Sequence, residues 1–191
     1  MSKIYDGIDE VLARFIDAQH VFFVATAPLD PAGHLNLSPK GLESFRVIDP
    51  KTVAYLDLTG SGIETVAHLR ENARVVIMFC AFEGAPRILR LHGRGEVVEP
   101  QDARFPELLR LFPKLPGTRS IVVVALERIA DSCGYGVPLY RYEGERRQLI
   151  DWARRKGASG LEQYRSEANH SSIDGLPGLR AKFADEKNSS Q

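Results

Sequence analysis

Apolar residues Ile8, Val11, Leu12, Phe15 and Ile16 recur at three- and four-residue intervals, which predicts an amphipathic helix over Asp6 to Gln19 with one face packed. From His20 onward the pattern becomes strand-like. Val21 to Thr26, His34 to Lys40, Phe45 to Ile48 and Thr52 to Leu58 are short apolar or alternating runs divided by Pro, Gly and Asp. Longer β runs follow at Arg74 to Phe82, Arg87 to Val98 and Ser120 to Ile129, with a helix expected at Gln101 to Phe112. Closely spaced strands and few helices predict a mainly β (α+β) class built on an antiparallel meander.

The character changes after Tyr142. Residues 1–143 read as the β domain, and residues 144–191 as a C-terminal extension that wraps it. Within the extension, a helix is expected around Leu149 to Lys156, then Gly, Ser and Pro become frequent. The polar end, Asp185 to Gln191, is expected to be disordered.

A length of 191 residues suits one domain with one core. Lys plus Arg and Asp plus Glu both count 25, so no net field recruits nucleic acid or an anionic membrane. No apolar run has the length of a signal peptide or a membrane span, so a soluble, cytoplasmic protein is expected. Cys80 and Cys133 are read as free thiols, and the five histidines show no paired metal-ligand spacing. No nucleophile-elbow motif is present, and the basic clusters near 146 and 154 lie among acidic residues, as on solvated helix ends.

Three stretches carry candidate chemistry. In the strand His34 to Lys40, alternation puts Asn36, Ser38 and Lys40 on one face and Leu35 and Leu37 on the other. That face is either a ligand wall or the solvated side of an edge strand, for which Pro39 is suited. The loop Asp57-Leu58-Thr59-Gly60-Ser61-Gly62 ends a strand and leads through Ile63-Glu64-Thr65 into a helix. Unpaired N–H groups and the positive helix end would attract a phosphate there, with Lys40 adding charge. Ser61 and Glu64 also fit a capping box that needs no ligand. In the third stretch Arg90, His92, Arg94 and Glu96 share a strand face, either solvated, dimer-facing or ligand-facing, and Gly93 and Gly95 suggest a bulge or close backbone contact.

In this order, Asn36 to Gly41, Tyr55 to Thr65 continuing through Leu69 to Val75, and Leu91 to Val97 resemble the pyridoxamine 5′-phosphate oxidase-like family of FMN-binding split barrels. Ser132 to Pro138 and Ser172 to Gly178 are similar to a less characterised branch of it. The resemblance implies an antiparallel split β-barrel with peripheral helices and a homodimer with FMN between subunits. It also implies oxidoreductase activity on a small molecule or, alternatively, a non-catalytic flavin- or deazaflavin-binding dimeric module. By position, Asn36, Ser38 and Lys40 would line the ring and ribityl side, while Asp57, Thr59, Ser61, Gly62 and Thr65 would frame the phosphate. Arg90 would come from the partner, and Cys133 and Tyr135 would lie toward the substrate. Glu64 stands where many relatives have a basic residue and is expected to point away into a cap. The tail lacks the Arg- and His-bearing segment that grips the vitamin phosphate in the authentic oxidases, which argues against pyridoxamine phosphate as substrate.

Overall fold

The computed structural model describes residues 3–180, so the expected disorder of Asp185 to Gln191 lies outside the described residues. In chain order the elements are β1 (Ile4–Tyr5), α1 (Glu10–Asp17), β2 (Phe22–Thr26), β3 (Asn36–Lys40), β4 (Phe45–Asp49), β5 (Thr52–Leu58), α2 (Glu64–Asn72), β6 (Arg74–Cys80), β7 (Ile88–Val98), α3 (Phe105–Leu109), β8 (Thr118–Ser132) and α4 (Gln148–Ala168). All strand pairs are antiparallel, in the order β3-β2-β6-β7-β8-β5-β4, with β1 beside the far end of β8. The result is an antiparallel split β-barrel with peripheral helices. Its two edges, β3 and β4, are consecutive in sequence and joined across the opening by residues 41–44.

Inward positions of β2, β5, β6, β7 and β8 form the main core, where Phe22, Tyr55, Phe79, Leu91 and Ile129 are buried with Leu12 and Ile16 of α1. A second cluster packs Phe105 and Phe112 against Leu56, Val98 and Ile121. The expected bulge is present: register shifts between His92 and Gly93, leaving Glu127 as the extra residue of β8. A Cβ at Gly93 would collide with the Ala125 carbonyl, so glycine permits the close strand approach.

Several boundaries differ from the sequence expectations for local reasons. Helix α1 starts at Glu10 because the Asp9 carboxylate accepts from Leu12 N at 2.8 Å, capping it there. Instead of Gln101 to Phe112, α3 is five residues long; Pro106 in its first turn disfavours helix upstream. Helix α4 runs far beyond Lys156, interrupted at Gly157 with φ 65° and ψ −179°. The expected capping box is absent: Ile63 is the N-cap of α2 and no side chain caps it.

Candidate functional site

A cleft of about 410 Å³ occupies the barrel opening. Its walls are Asn36, Ser38 and Lys40 of β3, the 41–44 connection, Leu56 and Leu58 of β5, and the loop entering α2 with Ser61, Gly62, Glu64 and Thr65. Its volume falls within the ~300–1,000 Å³ typical of small-molecule sites. Leu42 and Glu43 both have positive φ, 63° and 53°, an unfavourable conformation for residues with a Cβ and one that concentrates at functional sites.

The polar face of β3 is neither solvated nor free. Ser38 Oγ donates to Asn36 Oδ1 at 3.0 Å, and Asn36 Nδ2 donates to Thr65 Oγ1 at 2.9 Å and Thr26 Oγ1 at 3.1 Å. Thr26 Oγ1 in turn lies 2.9 Å from His68 Nδ1, within hydrogen-bond distance. Burial lowers the pKa of His68 although Asp174, Glu64 and Glu71 oppose the shift. Nε2 is buried and has no partner among the described residues. Because the Ser38 hydroxyl proton goes to Asn36 Oδ1, Ser38 presents lone pairs to the cleft. The cleft wall there is an acceptor for a ligand N–H.

Beneath the loop lies a buried ion pair. Arg119 donates through Nε to Asp57 Oδ2 at 2.7 Å and through Nη2 to Gly62 O at 2.8 Å. Its Nη1 reaches Asn169 Oδ1 at 2.8 Å and Gly60 O at 3.3 Å. Lys40 Nζ lies 3.5 Å from Asp57 Oδ1. Burial alone would raise the Asp57 pKa, but the Arg119 and Lys40 charges outweigh it and hold the carboxyl below its usual range. Arg165, lowered by burial and then by repulsion from Arg119, donates to Thr59 Oγ1 at 2.8 Å.

These anchors decide how the loop faces. In a trans peptide the carbonyl and the next N–H point oppositely, so fixing the Gly60 and Gly62 carbonyls on Arg119 turns the Ser61 and Ile63 N–H groups away from it. Among the described residues, the N–H groups of Gly60, Ser61, Gly62 and Ile63 have no acceptor. Successive free N–H groups at a helix start form an anion-binding concavity. The cations Lys40, Arg119 and Arg165 stand there with the carboxylates Asp57 and Glu64, and the Glu162 carboxylate also acts on Arg165.

The cleft thus gathers Asn36, Ser38, Lys40, Ser61, Gly62 and Thr65. Asp57 and Thr59 are each 1% exposed and lie behind the loop. Thr59 is committed through N and Oγ1 to Gly117 O. Arg90 is on the outer sheet face, bonded to Ser132 Oγ at 3.0 Å, and Cys133 and Tyr135 are exposed outside the cleft. Glu64 does not point away. It lines the cleft, with Oε2 2.6 Å from where a Gly62 Cβ would stand and Oε1 accepting from Ile173 N at 3.4 Å. Arg119, Arg165, Asn169 and His68 were missed by sequence reasoning, and no local motif marks them.

The C-terminal segment grips this site. Asn169 Nδ2 donates to Gly60 O at 2.9 Å, Asp174 receives His34 N at 2.8 Å, and Arg70 bonds to Gly178 O and Glu99.

A family profile described as pyridoxamine 5′-phosphate oxidase matches residues 8–133. The chain belongs to the pyridoxamine 5′-phosphate oxidase family. Within this family, a protein of Aspergillus flavus described as pyridoxamine 5′-phosphate oxidase family protein ustO is 35% identical over 204 residues, covering 97% of this chain and 81% of the relative. HupZ of Group A Streptococcus has 25% identity and a TM-score of 0.53, over 65% of this chain and 99% of that one. A putative pyridoxamine 5′-phosphate oxidase of Lactobacillus delbrueckii has 20% identity and a TM-score of 0.50, over 66% and 98% of the two chains, and shares the fold. The two bacterial structures cover about two thirds of this chain, 65% and 66%, whereas the fungal relative covers 97% of it.

Proposed function

We propose that this family member binds FMN in the cleft as a homodimer and acts as an oxidoreductase on a small organic molecule. The observation that carries the reading is the row of free N–H groups at residues 60–63 beside Lys40, a donor set fitted to a phosphate. Lys40 supplies a positive charge on the cleft wall, while Arg119 spends its donors on protein acceptors and holds the loop. Ser38 accepts from a ring N–H, and Asn36 and Thr65 hold Ser38 in that role. The bound isoalloxazine supplies the two-electron chemistry. Asp57 and Thr59 act from behind the loop.

Dimerisation suits the outer sheet face. Pro39, Phe23, Met78 and Arg90 form one cross-strand row, and Leu37, Ala25, Val76 and His92 the next. Leu35 and Leu37 are 81% and 66% exposed, an arrangement that leaves apolar surface beside Arg90 for a second copy.

Titration of the purified chain with FMN, followed by flavin fluorescence, tests the reading, with sedimentation reporting the dimer. Saturable binding that Lys40→Ala weakens about tenfold is expected, the loss of one charge-assisted contact. No binding, or unchanged affinity in Lys40→Ala, refutes it. Binding of FMN without reoxidation by oxygen or another acceptor after reduction assigns the chain to a non-catalytic module, and preference for a deazaflavin assigns it to that cofactor.

A further inference from the structure

A cavity of about 870 Å³, larger than the cleft, lies beside it, and Pro39, Lys40, Gly41, Leu42 and Leu149 line both. Its outer wall is the segment before α4, beyond the residues matched by the family profile. Tyr140 N donates to Phe82 O at 2.9 Å and their rings stack at 5.3 Å, while the His20 and Tyr142 rings stack at 3.6 Å and 9°. Two ring pairs thus face a largely apolar space. Charge there is unequal in availability. Tyr142 N donates to Glu83 and its hydroxyl to Glu145 Oε1 at 3.2 Å, so Tyr142 orients both carboxylates. Arg141 and Arg146 have no partner among the described residues, and Lys40 stands on the shared wall.

We propose that this chamber is the substrate site and takes a planar aromatic carboxylate, its ring against Tyr140 and Phe82 and its anion on Arg141 and Arg146. Flat rings select aromatic area, and uncommitted guanidinium groups select a carboxylate by paired donors. The position deepens the flavin reading and rests on it, because a molecule here lies across the Pro39–Leu42 partition from the cleft.

The test uses the full chain, with and without FMN, and three fluorescent probes of one shape: 2-naphthoate, neutral 2-naphthamide and cationic 2-naphthylmethylammonium. Expected results are naphthoate binding roughly tenfold tighter than the cation and a roughly tenfold loss in Tyr140→Ala and in Arg141→Gln, with FMN affinity unchanged in both. Equal affinity for the three probes, or unchanged naphthoate affinity in both variants, overturns the proposal. So does conversion of the dimer to a monomer by Tyr140→Ala, which makes the chamber a subunit interface. If FMN fails to bind while naphthoate binding shows the expected charge and variant dependence, the cleft reading falls and the substrate role with it, and only the recognition of an aromatic carboxylate by the chamber stands.

Discussion

Arg119 and Asp57 meet at 2.7 Å beneath the cleft loop, 5% and 1% exposed at their side chains, and one guanidinium therefore fixes both a buried carboxylate and the two glycine carbonyls above it. The pair converts charge burial into loop geometry. Isolated in the interior, either partner would be costly; together, with Ser120 Oγ 3.2 Å from Asp57 Oδ2 and Lys40 nearby, they are satisfied.

Asp57→Asn leaves Arg119 and Lys40 without a countercharge. A destabilisation of about 3–5 kcal/mol is expected, the usual result of removing one partner of a buried pair. Urea unfolding of Asp57→Asn, Arg119→Met and the double variant measures it. The double variant should lose clearly less than the two single losses added, by more than about 1 kcal/mol, because the partners share one interaction.

His68 gives the stability curve a slope near neutrality. Its folded-state pKa is depressed, chiefly by burial, so the unfolded chain takes up the proton first as pH falls. The stabilising contribution is complete above the ordinary value of about 6.5 and is lost as pH drops from there toward the folded value, with a slope of at most about 1.4 kcal/mol per pH unit. His92, also depressed by burial and by Arg128 and Arg90, acts in the same direction. Urea midpoints between pH 7.5 and 5 should fall less steeply in His68→Asn, and less again when His92→Asn is added.

The parts of the fold that were legible in the sequence are those coded by neighbours. Alternation along β3 placed Asn36, Ser38 and Lys40 together because a strand has a period of two, and Gly93 marked its own bulge. Long-range partners leave no such trace. Arg119 reaches Asp57 across 62 positions, and Asn169 reaches Gly60 across 109, so neither could be assigned by local pattern. Ser61 and Glu64 matched a capping box in spacing, yet Ile63 is the N-cap, and the loop before it is held by distant Arg119 through the Gly60 and Gly62 carbonyls. Gly157 obscured the length of α4 because a residue at positive φ interrupts the helical pattern that continues beyond it.

Asn169 is fully buried and ties the tail to the loop through Arg119 and Gly60 O. Asn169→Ala removes an acceptor from the guanidinium and a donor from the carbonyl, at an expected cost of about 1–3 kcal/mol. The loss should be local as well as global. Limited proteolysis should cut the 170–180 segment faster than in the parent chain, and amide exchange at Gly178 and Leu179, whose N–H groups donate to His170 O and Asn169 O, should accelerate while exchange in β7 stays slow.

Glu64 opposes two demands at one place. As the first residue of α2 it complements the helix dipole, worth roughly 0.3–1 kcal/mol, and its Oε1 holds Ile173 N. Near the same N–H groups, a phosphate meets a like charge, and the carboxylate must turn from Gly62 to admit it. Glu64→Gln keeps the shape and removes the charge. The free chain should therefore lose up to about 1 kcal/mol in urea unfolding, whereas FMN should bind several-fold more tightly, with the gain shrinking as salt rises because screening weakens the repulsion in the parent chain. Weaker FMN binding in Glu64→Gln would show instead that the carboxylate accepts a hydrogen bond from the ligand.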